Sequence, residues 1–338
     1  MTGDYETFDL GDVTLQSGMT LRGARLAYKT YGHLNADRSN AIMYPTWYSG
    51  RHWENEWLIG EELGLDPGRY FIIVPNMLAN GLSSSPSNTA PPSNGPRFPN
   101  VTFHDNVACQ YRLMTEHLGI ERLELVLGWS MGAGQTYQWG VSYPDTMKAL
   151  LPFCGSSKTA PHNIVFLESV KAALTADARW GNGWYSEQPQ VGLRAAARVY
   201  AGWGFSQAFY WSREWRKLGY TSLEDFLVGF WEGFFLDDRD ANNLLAMLWT
   251  WQQGDVGQTP GFDGDTERAL RSITARTIQM PAEKDLYFPP EDEQWASQFI
   301  EDSDVRVIPG VWGHFAGGGA NPEDIAFIDA AVRELLHG

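Results

Sequence analysis

The chain has 338 residues, of which 43% are hydrophobic and 20% charged, a balance typical of a globular protein with a large core. Its net charge of −16 at pH 7 argues against nucleic acid or an anionic membrane as a partner, because both require clustered Lys and Arg. With two cysteines and neither a C-x-x-C nor an H-E-x-x-H spacing, the sequence predicts no disulfide framework, no metal site and no cofactor.

The first ten residues, MTGDYETFDL, lack the basic start and the apolar run of a secretory signal. Apolar runs in the sequence are too short to span a bilayer. These two observations predict a cytoplasmic protein.

Short β-branched runs alternate along the chain with stretches of helical spacing. Strands are predicted at 20–31, 41–44, 70–74, 123–127, 149–153, 276–280 and 305–308, and helices at 104–118 and 134–143. This alternation favours an α/β fold with a mostly parallel sheet covered by helices on both faces. The 123–127 strand is expected at the centre of the sheet.

Residues 160–256 interrupt the alternation. This stretch is helix-like throughout and contains eight of the 15 tryptophans. We interpret it as a helical lid inserted after the sixth strand, called the lid segment below, with 1–159 and 257–338 forming the core. Most of its tryptophans are expected to fill its own interior, and a few, Trp184 among them, to line an apolar pocket.

The stretch LVLGWSMGAGQ at 125–135 places Ser130 between two glycines, after a strand and before a helix. This G-x-S-x-G pattern is typical of the nucleophile elbow of α/β-hydrolases, where a strained turn exposes the serine at the top of the sheet. The glycines are required because the backbone packs closely there. Ser130 is therefore the predicted nucleophile.

A serine nucleophile needs a base and an acid, which follow it along the chain in this fold. Of the seven histidines, His314 in PGVWGHFAGGG lies in the expected place, directly after the last predicted strand. The acid should follow the preceding strand, where RTIQMPAEKDLYFPPED supplies Glu283 and Asp285. Asp285 is preferred because the chain turns away immediately after it, and Glu283 is the alternative.

Acyl transfer also requires two backbone N–H groups that bind the oxyanion. One is expected from Met131, the residue after the nucleophile. The other should come from the 44–50 loop, with Trp47 preferred and Tyr48 as the alternative. Tyr48 is also a predicted pocket residue.

Several segments together resemble the homoserine O-acetyltransferase family of α/β-hydrolases. The resemblance rests on YKTYG at 28–32, YFIIVPNMLANGLSSSPS at 70–87, FPNVTFHDNVACQ at 98–110, LGWSMGAGQTYQW at 127–139, EKDLYFPPE at 283–291 and the WGHFAGG loop. It implies Ser130, Asp285 and His314 as the catalytic triad, a helical lid, and a homodimer that pairs through the lid.

The substrate-binding positions that this resemblance implies depart from the family pattern. The acetyltransferases have an aspartate directly after the catalytic histidine, where this chain has Phe315. They also have an arginine followed seven positions later by a tyrosine, and here these positions hold Arg198 and Phe205. Because burying an amino-acid zwitterion against two phenylalanines costs several kcal/mol, homoserine is a poor acceptor for such a pocket.

The sequence therefore predicts a serine carboxylesterase that hydrolyses small, largely apolar esters such as short-chain alkyl acetates. The alternative is an acetyl-CoA-dependent O-acetyltransferase acting on homoserine or another alcohol. A more remote alternative is a binding protein that keeps the fold without catalysis. The expected small-molecule partner is the ester, and the expected protein partner is a second copy of the chain.

Overall fold

A computed structural model describes residues 4–337 and shows one eight-stranded sheet with helices on both of its faces. The strands are β1 (Glu6–Thr14), β2 (Thr20–Tyr31), β3 (Ala41–Met43), β4 (Phe71–Pro75), β5 (Leu123–Trp129), β6 (Met147–Phe153), β7 (Arg276–Gln279) and β8 (Ser303–Val305). The helices are α1 (Phe103–Arg112), α2 (Met131–Ser142), α3 (Pro161–Thr175), α4 (Gln190–Gly204), α5 (Gln207–Trp211), α6 (Leu223–Phe226), α7 (Gly233–Leu236), α8 (Ala241–Gln252), α9 (Thr266–Arg271), α10 (Pro290–Ala296) and α11 (Pro322–His337).

The strand order is β1-β2-β4-β3-β5-β6-β7-β8, antiparallel from β1 to β4 and parallel from β4 to β8. The prediction of a mostly parallel α/β sheet is confirmed, with β5 inside the sheet between β3 and β6. Six of the seven β5 residues are buried, because helices cover both faces of a parallel sheet.

Several elements depart from the predicted set, among them β1 and the first predicted helix. The edge strand β1 was not predicted, because Leu10 is its one fully buried residue and a register shift at Gly11 removes any regular alternation. The helix predicted over 104–118 ends as an α-helix at Arg112 and continues as a wider π-helical turn over Leu113–His117.

Helix α2 is the best-buried helix of the core and begins directly after Ser130. Every residue from Met131 to Val141 is buried. Its glycines allow this close packing: a Cβ on Gly134 would lie 2.8 Å from the Phe103 ring, and one on Gly140 would lie 2.6 Å from Leu150. The element that follows the elbow is thus fixed tightly against the sheet.

Helices α3 to α8 lie between β6 and β7 in sequence, within the predicted lid segment. The two ends of this stretch meet at the sheet. The Thr159 N–H donates to the Gly254 carbonyl at 2.7 Å, and the Val256 N–H donates to the Ser157 carbonyl at 3.1 Å. Among residues 4–337 there is no helix long and apolar enough to cross a membrane.

Candidate active site

Ser130 occupies a strained turn between β5 and α2. Its φ and ψ are 58° and −121°, a conformation that non-glycine residues rarely adopt. The turn is held by close backbone packing, since a Cβ on Gly128 would lie 2.3 Å from the Gly132 carbonyl carbon. A Cβ on Gly155, after β6, would lie 2.6 Å from the Ser130 carbonyl oxygen. These contacts explain why the motif requires glycines and why Gly155, which lies outside the motif, is also a glycine.

Asp285 and His314 form a buried hydrogen-bonded pair. Asp285 lies in the loop after β7, and its Oδ2 is 2.7 Å from Nδ1 of His314. Its Oδ1 accepts the N–H groups of Tyr287 and Phe288, each at 3.0 Å. Both side chains are nearly inaccessible, at 0% exposed for Asp285 and 3% for His314. The carboxylate is therefore fixed in place, with one oxygen bound by backbone and the other available to the imidazole.

The elbow and the histidine lie at the same edge of the sheet. Trp129, which precedes Ser130, donates its Nε1–H to the His314 carbonyl at 3.1 Å. The Trp129 ring also stacks on the imidazole with 5.0 Å between centroids. The three residues predicted as a triad thus come from the carboxyl ends of β5, β7 and β8, where parallel α/β sheets commonly bind ligands.

Glu283, the alternative acid, points away from His314. Its Oε1 pairs with Lys284 at 3.0 Å, and its Oε2 accepts the Gly310 N–H at 3.2 Å. These contacts, led by the hydrogen bond from Lys284, lower the pKa of Glu283. Its side chain is 48% exposed, as expected for a solvated loop carboxylate.

The two segments predicted to bind the oxyanion are joined by one buried side chain. The Nε2 of Gln135 donates to the Thr46 carbonyl at 2.9 Å and to the Met131 carbonyl at 3.2 Å. It therefore connects the peptide group before Trp47 to the first turn of α2. A Cβ on Gly132 would lie 2.9 Å from the Pro45 carbonyl oxygen, so the loop and the helix are in direct contact.

Gln135 is itself positioned by a buried chain of hydrogen bonds. Its Oε1 accepts from Nε2 of Gln110 on α1 at 2.6 Å, and Oε1 of Gln110 accepts the Trp139 indole N–H at 2.8 Å. All three side chains are 0% exposed. This network could not be predicted from the sequence, because hydrogen bonds between residues about 25 positions apart leave no periodic signal.

A second buried network of hydrogen bonds contacts α2, the helix that follows Ser130. Glu293 of α10 accepts the Tyr137 hydroxyl of α2, and Gln279 of β7 donates its Nε2–H to Glu293 at 2.8 Å. Burial raises the pKa of Glu293 to about 8, although the hydrogen bonds from Tyr137 and Gln279 lower it in part. The raised pKa favours the protonated, uncharged acid, which connects the helix after Ser130 to the strand before Asp285.

Two predicted pocket residues lie in successive layers beside the elbow. Phe315 is half-buried and its ring contacts Trp129 at 5.6 Å between centroids. Phe205 stacks on the far side of Phe315 at 4.4 Å, is 1% exposed and packs against Phe209 of α5. The structure thus brings Phe315 to the elbow and places Phe205 behind it.

Trp184 and Arg198 were predicted in the pocket, but the structure places both on outer surfaces. Trp184 is 50% exposed, and the Arg97 guanidinium lies over its ring at 5.4 Å. Arg198 is 41% exposed and pairs with Glu224 and Glu232, each at 2.6 Å. Trp184 stacks with a cation and Arg198 pairs with acids, and both sets of partners lie outside the site.

Tyr48 is buried against the lid segment, and four aromatic residues that were not predicted in the site lie near it or near His314. Its ring is parallel to Tyr200 of α4 at 5.9 Å and lies 5.8 Å from Trp251 of α8. Tyr287 contacts the His314 ring at 4.4 Å, and Phe288 contacts it at 5.5 Å. The position of Tyr287, two residues after Asp285, is a signal that could have identified it.

Among residues 4–337, no group of three or more His, Cys, Asp or Glu side chains is arranged to hold a metal ion. The arrangement of Ser130, His314 and Asp285 suits acyl transfer through a serine nucleophile.

Comparison with known proteins identifies the family. The family model for the alpha/beta hydrolase fold matches residues 42–316. An ethyl acetate hydrolase from Pseudomonas veronii is 40% identical over 337 residues, which cover 99% of this chain and 96% of that protein. A homoserine O-acetyltransferase from Chlorobaculum parvum is 30% identical over 331 residues, covering 93% and 90%.

Among solved structures, an acetylester hydrolase from Corynebacterium glutamicum aligns with a TM-score of 0.96 at 39% identity, covering 99% of this chain and 96% of that one. Coverage of this extent includes the sheet and the lid segment alike.

Proposed function

This chain belongs to the α/β-hydrolase family, in the group that includes esterases and homoserine O-acetyltransferases, and we propose that it is a serine carboxylesterase acting on short-chain alkyl acetates. The observation that carries the proposal is the buried Asp285–His314 hydrogen bond beside the strained Ser130 elbow. A serine hydroxyl becomes a good nucleophile when an oriented imidazole takes its proton.

In the proposed first step, Oγ of Ser130 attacks the carbonyl carbon and transfers its proton to Nε2 of His314. Nε2 is the nitrogen available for this transfer, because Nδ1 is bonded to Asp285. The backbone N–H groups of Met131 and Trp47 bind the oxyanion. The bond to the alcohol oxygen then breaks as His314 returns the proton, which releases the alcohol and leaves acetyl-Ser130.

In the second step, His314 removes a proton from water, which attacks the acetyl carbon. The new tetrahedral species collapses to acetic acid and regenerates the Ser130 hydroxyl with the proton from His314. Asp285 stays ionised and stabilises the imidazolium in both steps.

The surroundings of Ser130 favour an esterase over an acetyltransferase for amino-acid acceptors. Phe315 occupies the position of the family aspartate, and Phe205 that of the family tyrosine. Arg198, at the position of the family arginine, is paired with Glu224 and Glu232 on the outer face of α4. A homoserine zwitterion would therefore find no charged partner at these three positions, and leaving it unpaired costs affinity.

The test is to follow acid release from ethyl acetate by the purified protein, with Ser130→Ala as the control. A second assay supplies acetyl-CoA and homoserine and measures O-acetylhomoserine. Hydrolysis that Ser130→Ala abolishes, without O-acetylhomoserine, supports the esterase. O-acetylhomoserine with little hydrolysis supports the acetyltransferase, and the absence of both reactions supports a binding protein.

The location and the oligomeric state belong to the same proposal. We expect a cytoplasmic enzyme that pairs as a homodimer through the lid segment and needs no cofactor. Cell fractionation and light scattering of the purified protein measure the first two properties.

A further inference from the structure

Four aromatic side chains form a closed ring of contacts at the junction between the core and the lid segment. They are Tyr48, Tyr200, Trp251 and Tyr287, called the four-ring cluster below. Successive centroids are 5.9 Å apart from Tyr48 to Tyr200, 6.2 Å from Tyr200 to Tyr287, 5.6 Å from Tyr287 to Trp251 and 5.8 Å from Trp251 to Tyr48. Two rings come from the core and two from the lid segment.

Two polar atoms of this cluster lack a hydrogen-bond partner within the described part of the chain. They are the hydroxyl of Tyr48 and the indole N–H of Trp251. The two side chains are at most 3% exposed. A buried donor without a partner is unfavourable, and most buried polar groups in proteins are paired. Two such donors from neighbouring rings therefore point to a bound group that accepts hydrogen bonds.

The cluster adjoins the predicted base. Tyr287 contacts the ring of His314, the residue that protonates the departing alcohol oxygen in the proposed mechanism. Tyr48 follows Trp47, whose N–H is assigned to the oxyanion in that mechanism. The cluster is therefore next to both the base and the loop predicted to bind the oxyanion.

The donors are uncharged. Burial raises the pKa of the Tyr48 and Tyr287 hydroxyls above their usual range, so both remain protonated. Neutral donors match neutral oxygen acceptors and offer no counter-charge to an ammonium or a carboxylate group.

We propose that the four-ring cluster is a specificity site for an uncharged oxygen atom in the alcohol part of the ester. The preferred substrates are then acetates of alcohols that carry a hydroxyl, ether or carbonyl oxygen near the ester bond, such as partly acetylated diols. This inference rests on the proposed esterase function and narrows its substrate class.

The test compares 2-hydroxyethyl acetate with propyl acetate, two esters of nearly equal size that differ by a hydroxyl in place of a methyl group. The ratio of their kcat/KM values is divided by the ratio of their rates of alkaline hydrolysis, which removes the difference in intrinsic reactivity. We expect a corrected ratio of at least about ten for the wild type, because a site built to bond an oxygen discriminates against the analogue that lacks it. Tyr48→Phe should lower this ratio roughly three- to tenfold, which is the value of one neutral hydrogen bond.

Tyr143→Phe is the matched control. Tyr143 follows the far end of α2, where its ring stacks on Tyr111 at 3.9 Å. Its variant should keep both the rates and the corrected ratio of the wild type.

A wild-type ratio near one, or a ratio that Tyr48→Phe does not lower, overturns the inference while leaving the esterase intact, provided that Ser130→Ala abolishes propyl acetate hydrolysis. If the wild type hydrolyses neither ester, the proposed function and this inference both fall. The ratio distinguishes a specificity role from a general effect on His314, because a general effect changes the kcat/KM values of both esters equally.

Discussion

The sheet side of the candidate site is held by hydrogen bonds, whereas the lid side is held mainly by aromatic contacts. On the sheet side, Asp285 bonds to His314 and two backbone N–H groups, and Gln135 connects the two segments predicted to bind the oxyanion. On the lid side, the rings of Tyr200 and Trp251 pack against Tyr48 and Tyr287, and the indole N–H of Trp251 has no partner among residues 4–337.

The hydrogen bonds of the sheet side and the ring contacts of the lid side are suited to different purposes. Directional bonds fix the atoms that react to within a few tenths of an ångström, as catalysis requires. Packed rings define a cavity by shape and tolerate exchange of one ring for another. We expect changes on the sheet side to alter the rate for every ester, and changes on the lid side to alter the choice among esters.

The strongest test of the sheet side is Asp285→Asn. The amide cannot replace the carboxylate that orients the imidazole, so kcat for ethyl acetate should fall by about 10⁴-fold. The measurement is steady-state kinetics together with a thermal melt that shows a folded variant. Glu283→Gln is the control and should retain activity. A loss in Glu283→Gln with activity kept in Asp285→Asn would reverse the assignment of the acid.

The second test concerns Glu293 and the pH dependence of stability. Its pKa is about 8 in the folded protein and near 4.5 when unfolded, so between these values the folded state holds one more proton than the unfolded state. The contribution of Glu293 to the free energy of unfolding therefore falls by about 1.4 kcal/mol for each unit that the pH rises between 4.5 and 8.

Glu293→Gln should remove this slope. The slope is measured by urea unfolding of both proteins at pH 5, 6.5 and 8, which lie within the window defined by the two pKa values. We expect the variant to gain stability relative to the wild type as pH rises. Parallel pH profiles for the two proteins would show that Glu293 is ionised in the fold.

A smaller effect is expected from Gln135→Leu, which leaves the triad intact but removes the bonds to the Thr46 and Met131 carbonyls. Because removing one oxyanion donor outright costs about 10²–10³-fold, loosening two should lower kcat roughly ten- to 100-fold. Gln138→Leu, on the same helix and bonded to Thr259, is the matched control. Equal losses in both variants would indicate a general disturbance of α2.

The smallest effect is expected from Arg198→Ala on the lid side. Its guanidinium is on the outer face and binds two glutamates, so kcat/KM for ethyl acetate should stay within about twofold of the wild type. A fall of tenfold or more would place Arg198 in the substrate site, contrary to the position found here.

Much of this architecture could be predicted from the sequence, because β-branched runs and turn residues define parallel strands. The strand at 20–31 matches β2 residue for residue, and Ser130, Asp285 and His314 lie after β5, β7 and β8. Position along the chain is enough for these residues, since the carboxyl ends of parallel strands share one edge. The strand expected at 305–308 is shifted to Ser303–Val305, and Ile308 makes an isolated bridge to Ala282.

The site walls could not be predicted in the same way. Trp184 and Arg198 were assigned to the pocket by composition and by alignment, neither of which tells which face of an element points inward. Tyr200 and Trp251 reach the site because α4 and α8 are folded back over the sheet. Such placement depends on tertiary packing, which local patterns do not encode.

The hydrogen bonds that join Thr159 to Gly254 and Ser157 to Val256 have a consequence for how this protein can diversify. Because the lid segment leaves and re-enters the core at one point, it has the layout of a cassette, and inserted units with adjacent ends are well tolerated by their hosts. Recombination between relatives at these two junctions would exchange two rings of the four-ring cluster, Tyr200 and Trp251, in one event and leave the residues predicted as nucleophile, base and acid in the core.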